Sequence, residues 1–152
     1  MSLYQICYRS QIHDHVLDGD MEAEIELTTS RLRRLNALNG ITGALLLTDS
    51  HIFQLIEGRV EAIEDALTCA AQDPRHFNIE ILSRKAVEYR LFHDSWLYFA
   101  DLRMDYDREL PDGLAAVMPD PATASVNDVL GLMGFVSGDL IEAHLTNELM
   151  LI

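Results

Sequence analysis

The chain is poor in cysteine. Cys7 and Cys69 are its two, with no Cys-x-x-Cys spacing, which excludes a disulfide scaffold and suits two buried free thiols in a reducing cytoplasm. Long hydrophobic runs are missing as well. The longest, such as Ala44-Leu45-Leu46-Leu47, are strand-sized and far short of the ~18 residues a membrane span needs. The N-terminus lacks the basic start and apolar run of a secretory signal. Positive charge is scarce, with 11 Lys plus Arg against 25 Asp plus Glu and a formal charge of −14. Such a surface repels phosphate backbones and anionic headgroups, so neither nucleic acid nor a membrane is an expected partner. No glycine-rich loop follows the first strand-like segment, and no Ser-His-Asp or Cys-His arrangement stands out; an enzyme is not expected. His13 and His15 have the spacing of a metal pair but no third ligand nearby, so no metal is expected either. His51, His93 and His144 read as surface residues.

What remains is a globular chain of 152 residues, 49% hydrophobic and 24% charged, enough for one domain with an appendage. Leu3 to Arg9 alternates with period two and reads as a strand, with Tyr4, Ile6 and Tyr8 on one face. A helix is expected from about Asp20 to Leu38, acidic in its first turns and carrying Arg31, Arg33 and Arg34 later, an order that complements the helix dipole. Ile25, Thr28, Leu32 and Leu35 form its inner stripe. Gly40 can take the left-handed conformation that ends a helix. Ile41–Thr48 and His51–Glu57 then read as a hairpin around Asp49-Ser50. Val60, Ile63, Leu67 and Ala71 mark a second amphipathic helix that Asp73-Pro74 breaks. Phe77–Ala86 and Trp96–Leu102 complete the pattern as fourth and fifth strands.

The order β-α-β-β-α-β-β fits an α+β, ferredoxin-like sandwich with two helices on one face of a five-stranded sheet. Residues 1–102 make this domain. Residues 103–152 form a helical extension that holds three of the four prolines, with a short helix around Gly113–Val117 and an apolar, helical stretch over Val126–Leu151. Leu130, Leu132, Met133, Phe135, Val136, Leu140 and Ile141 make that stretch more apolar than a lone surface helix needs, which suggests a homo-oligomer.

Residue by residue, the polar candidates have plain readings. Tyr8 suits a strand, Asn36 a turn or cap, and Asp73-Pro74-Arg75-His76 a helix stop with a surface ion pair. Gln54 lies on the strand face of Ile52 and Ile56, while Phe53 and Leu55 make the other face apolar too. A glutamine buried there needs partners for both ends of its amide.

Four motifs in order give these residues a second meaning. They are Leu3-Tyr4-Gln5-Ile6-Cys7-Tyr8-Arg9-Ser10, then Asn36-Ala37-Leu38-Asn39-Gly40-Ile41-Thr42-Gly43, then Phe53-Gln54-Leu55-Ile56-Glu57-Gly58, then Asp73-Pro74-Arg75-His76. Together they resemble the BLUF domain, a blue-light sensor that uses a bound flavin. The resemblance covers about residues 1–102. It implies FAD as cofactor, with FMN possible, and a flavin site made by Tyr8, Asn36, Gln54, Asp73, Arg75 and His76. It also implies a mechanism. Light excites the oxidised flavin, Tyr8 gives up an electron and a proton through Gln54, and recombination leaves Gln54 in a new hydrogen-bonding state. The last strand and the helices after it would pass that state to a separate protein partner. The chain departs from the family at Ser95-Trp96-Leu97. There, Ser95 aligns with the usual tryptophan and Leu97 with the usual methionine, so that Trp96 is one residue out of register unless a bulge restores it. Leu35 is a smaller departure, standing where many members carry an asparagine. The competing reading is a BLUF-like interaction module that has lost flavin photochemistry.

Overall fold

In a computed structural model of the protein the described residues are 3–13, 21–93, 95–103 and 120–135. His15, His144, the Gly113–Val117 helix and the apolar stretch from Val136 onward lie outside them. Five strands, β1 (Leu3–Ile12), β2 (Thr42–Leu47), β3 (His51–Arg59), β4 (His76–Val87) and β5 (Tyr98–Asp101), and two helices, α1 (Met21–Asn39) and α2 (Val60–Gln72), follow in the expected order. The sheet order is β4-β1-β3-β2-β5. All pairings are antiparallel except that of β2 with β5. This is the α+β ferredoxin-like arrangement of two interleaved β-α-β units, with a parallel fifth strand added at the β2 edge.

β1 runs three residues past the expected Arg9, because β3 pairs it out to Gln11 and β4 out to Ile12. Its ladder with β4 is irregular on both sides of Tyr8–Arg9. Asn78 in this stretch of β4 takes a left-handed φ of 54°, as bulged strands often require. Gly40 ends α1 with φ 67°, as its sequence position implies. Gly43 has a different reason to be glycine: a Cβ there would stand 2.0 Å from the Leu55 carbonyl oxygen, so any side chain would prise β2 from β3.

Alternation along the strands gives the sheet two buried faces. On the front, Ile6, Ile41 and Ile56 pack against Ile63 of α2, and Ile12, Leu45, Leu47 and Leu97 meet Ile25 and Leu32 of α1. On the back, Cys7, Ala44, Leu46, Phe53, Leu55, Tyr98 and Leu102 form the largest apolar cluster, covered by Val129, Leu132 and Met133 of a helix over 126–135. Leu132 and Met133 are fully buried there, which is what their apolar character is for. The surplus that suggested an oligomer is, in this segment, spent on the sheet. Ser125 starts that helix, its hydroxyl accepting from the Asp128 amide at 3.1 Å.

Four expectations are corrected. Leu35 is not in the inner stripe but half exposed; it lies at the rim of a cavity rather than over the sheet. His51 is buried at 8% exposure, because it opens β3 with its ring against Phe53 and its Nδ1 2.7 Å from the Ser50 hydroxyl. Cys69 is exposed, since only Ile63 of α2 is fully packed on the sheet. Trp96 lies before β5, not in it, and is 41% exposed, whereas Ser95 and Leu97 on either side are buried. No bulge restores it. His93 is exposed as expected, and both cysteines are free thiols.

Candidate functional site

Between the front of the sheet and the two helices lies a cavity of ≈ 370 Å³, the size of a small-molecule site. Its walls are mostly aliphatic, with Ile25, Leu32, Leu45, Leu47, Ile52 and Phe99 among the lining residues. All six residues named from the resemblance, Tyr8, Asn36, Gln54, Asp73, Arg75 and His76, also line it.

Tyr8 and Gln54 are directly opposed on β1 and β3, so their side chains leave the same face side by side. The Tyr8 hydroxyl donates to Gln54 Oε1. Burial, aided by the nearby Asp73 and Cys7, pushes the Tyr8 phenol well above its usual range. It therefore stays protonated and stays a donor. Gln54 thereby spends its acceptor, and its Nε2 has no hydrogen bond from the described residues. Asn36, near the end of α1, donates from Nδ2 to the Trp96 carbonyl at 2.7 Å. Its Oδ1 is likewise without a partner among the described residues. One turn earlier on α1, Arg33 donates to the Leu97 carbonyl at 3.2 Å, and burial holds its guanidinium below the usual range. The two α1 side chains thus fix the backbone that carries Trp96 outward and Leu97 inward.

Asp73, Arg75 and His76 form a second group where α2 gives way to β4. Arg75 makes a bidentate pair with Asp73, Nε to Oδ1 at 2.9 Å and Nη2 to Oδ2 at 2.5 Å, and reaches Thr28 Oγ1 on α1. Glu24 lies 3.8 Å away. Burial alone would raise the Asp73 carboxyl, but the bonds from Arg75 outweigh it and leave Asp73 below the usual carboxylate range. The same pair raises Arg75. His76 has both ring nitrogens engaged, with Ser10 Oγ and the Ala70 carbonyl, each at 2.7 Å. Its ring lies 6.4 Å from that of Tyr8. His76 therefore offers the cavity a ring rather than a free donor. Thr28, Ser10 and Arg33 were not singled out for the site. Thr28 was legible as part of the α1 stripe, but hydroxyls and an arginine at single positions carry no motif.

These residues fit a flavin. A tricyclic ring needs a slot with aliphatic walls, and its heteroatom edge needs a donor and an acceptor. Gln54 Nε2 and Asn36 Oδ1 are a donor and an acceptor left unpaired by the described residues on the cavity lining. Among the described residues no group of His, Cys, Asp and Glu could hold a metal ion, and no helix is long and apolar enough to cross a membrane.

Comparison with known proteins agrees with this chemistry. The profile of the BLUF family, described as sensors of blue light using FAD, matches residues 3–97. The blue light- and temperature-regulated antirepressor BluF of Escherichia coli K12 is 36% identical over 115 residues, 76% of this chain and 27% of BluF. The dark-state structure of the BLUF protein BlrB superposes with a TM-score of 0.70 at 27% identity, over 91% of this chain and 98% of BlrB. Klebsiella pneumoniae BlrP1, solved with FMN and cyclic diGMP, gives 0.57 at 35% identity, over 66% of this chain and 26% of BlrP1. The match spans about a quarter of BluF and of BlrP1, and nearly all of BlrB. This chain belongs to the BLUF family of blue-light sensors that bind a flavin.

Proposed function

We propose that this chain senses blue light through a flavin held in the front cavity and passes the signal to a separate protein. The observation that carries the reading is the buried Tyr8–Gln54 hydrogen bond, with the Gln54 amide nitrogen left over on the cavity lining. Tyr8, Gln54 and Asn36 hold the ring edge. The aliphatic side chains of α1, β2 and β3 enclose the ring and exclude water. Thr28, Arg75 and His76 flank the other end. When bound, the flavin supplies the light absorption and the redox chemistry.

The switch lies in the protein's own groups. Gln54 presents a donor at one end of its amide and an acceptor at the other. Rotating or tautomerising that amide exchanges what it offers to Tyr8 and to the cavity, with no backbone movement required. Tyr8, held protonated by its burial, is the proton donor in the resting arrangement.

FAD is the proposed flavin, following the family's description; BlrP1 carries FMN. Arg75 is already engaged by Asp73 and Thr28, so it serves the cofactor mainly by fixing the cavity's polar end. No enzymatic role is assigned. The output is proposed to be contact with a separate protein, with the cytoplasm as the proposed setting; the relative BluF is named an antirepressor. Any homo-oligomer would have to use surfaces other than Leu132 and Met133.

The test is the absorption spectrum of the purified protein before and after blue light. The expected result is a flavin spectrum that shifts slightly to the red and returns in the dark, with the shift lost in Tyr8→Phe and Gln54→Ala. A protein that stays colourless after FAD is added overturns the reading in favour of an interaction module. A bound flavin with no shift means that the pocket survives without the switch.

A further inference from the structure

Arg9 follows Tyr8 on β1, so its side chain leaves the opposite face of the sheet. It is 7% exposed, unusual for an arginine unless every donor has a use. Here they do. Nε and Nη2 reach Glu80 Oε2 on β4 at 3.2 and 2.5 Å. Nη1 donates to the carbonyls of Pro121 and Ala124, each at 3.1 Å. Those two carbonyls bracket the turn Pro121–Thr123 and lie just before Ser125, which starts the helix over 126–135. The guanidinium therefore ties the entry of the back-face helix to the strand residue next to Tyr8.

The strand is least regular at this point. The β1–β4 ladder shifts register between Cys7 and Tyr8 and again between Arg9 and Gln11. On the β4 side, Tyr8 pairs with Ile81 and Arg9 with Glu80 in a two-residue stretch of ladder between the shifts, and the Arg9–Glu80 side-chain pair reinforces it. Glu80 is largely exposed, so one arm of the pair ends in a side chain with room to move.

We propose that Arg9 is a positioning residue which couples the Tyr8–Gln54 site to the segment 120–135. A change at Tyr8 on the front of β1 is transmitted through the strand to the guanidinium on the back. It then alters how firmly residues 121–124, and the helix that they lead into, are held against the sheet. This rests on the photosensor reading above.

The test uses the full chain with its flavin, in darkness and under blue light. Hydrogen exchange of the 126–135 amides is followed by mass spectrometry and the flavin spectrum is recorded alongside. In the wild type, light raises exchange in 126–135. In Arg9→Met, which keeps the bulk and removes the donors, the spectral shift persists and dark exchange in 126–135 rises about tenfold, as for loss of a charge-assisted bond. Light then adds nothing further. A merely structural arginine would loosen the helix and leave the light-dependent increment in place, and that result overturns the proposal. So does a wild type whose spectrum shifts while its 126–135 amides ignore light. A wild type with no spectral shift at all sinks the photosensor reading, and the coupling with it. Should Arg9→Met not fold, Arg9→Lys carries the test. One ammonium cannot span Glu80 and both carbonyls, so the light increment falls at least twofold; an unchanged increment overturns the proposal.

Discussion

The two faces of the sheet are made by the same strands and share almost every backbone hydrogen bond, yet they are built to different ends. On the back, Phe53, Leu55, Leu46 and Met133 close on each other with little exposure, as a stabilising core does. Most of the buried polar groups there are answered, although Gln5 Oε1 has no partner among the described residues. Glu57, fully buried, accepts from Gln5 Nε2, Thr42 Oγ1 and the backbone amides of Leu91 and Phe92. On the front, one residue along each strand, Tyr8, Gln54 and Leu45 face a cavity of ≈ 370 Å³, and two amide atoms stay unpaired by the described residues. A face that leaves space and unmet hydrogen bonds gives up stability for binding. A neighbouring face whose apolar centre is closed makes the arrangement tolerable.

Neighbouring residues on β3 offer the largest contrast. Phe53→Ala empties a fully buried ring site on the back and is expected to cost about 3–5 kcal/mol. Gln54→Ala on the front removes one acceptor from Tyr8 and is expected to cost about 1 kcal/mol. Urea unfolding of the flavin-free protein measures both. Equal costs would mean that the front is as tightly packed as the back.

Glu57→Gln sharpens the same point for polar groups. The carboxylate gives each backbone amide an oxygen, Leu91 at 2.6 Å and Phe92 at 2.9 Å. Glutamine has one oxygen, so one amide meets an NH2 group instead. A loss of about 2–3 kcal/mol is expected in the same unfolding experiment, the range for an unanswered buried donor near a charged site. The effect should reach the front as well, because the residues anchored by Glu57 lead into Ser95-Trp96-Leu97. A shifted flavin absorption maximum in this variant would report that.

Overpacking distinguishes the faces more finely. Leu46→Phe forces a ring into the close-packed back and is expected to cost about 1–3 kcal/mol. Leu45→Phe puts the same ring into the front cavity. In the flavin-free protein its cost is expected to fall clearly below that of Leu46→Phe, because the cavity gives the added ring room. Flavin affinity, read by fluorescence titration, should fall at least tenfold. If both substitutions destabilise alike, the cavity is not open to added bulk.

Which parts of this were legible in the sequence follows from the same division. The back face and the helix stripes announce themselves by period, because packing demands apolar residues at every second or every third to fourth position. The cavity residues Tyr8, Gln54 and Asn36 do not. Gln54 sits between Phe53 and Leu55 in a strand that is apolar on both faces, and only the family motif gave it a role. Leu35 and Cys69 were misplaced because a helix over a cavity has a narrower buried stripe than a helix on a full core. His51 was misplaced because a lone histidine beside a turn carries no periodic signal. Arg9 was invisible because its partners at 121–124 are more than a hundred residues away. Trp96 shows the value of register: the ungapped alignment gave the family's two positions to Ser95 and Leu97, and these are the buried residues while Trp96 between them is exposed.

The smallest expected effect tests the faces through their thiols. Cys7 sits on the back, fully buried, and burial pushes its thiol up to about 12 despite the opposing charge of Arg9. Cys69 is exposed at the rim of the front cavity. In the native protein one thiol is expected to react promptly with a disulfide reagent, and Cys69→Ser should abolish that reaction. Cys7 should react only on unfolding, since the thiolate is the nucleophile. The linkage has a definite sign. A thiol whose folded pKa lies above its unfolded value of 9.0 favours folding while protonated, so its full contribution is present below pH 9. That contribution is lost as the pH rises from 9 towards about 12. Unfolding midpoints of the wild type and Cys7→Ala should therefore converge over that interval, to an extent that reports how completely the back face excludes water. Midpoints that keep a constant separation would show that the Cys7 thiol is reached by solvent in the folded protein.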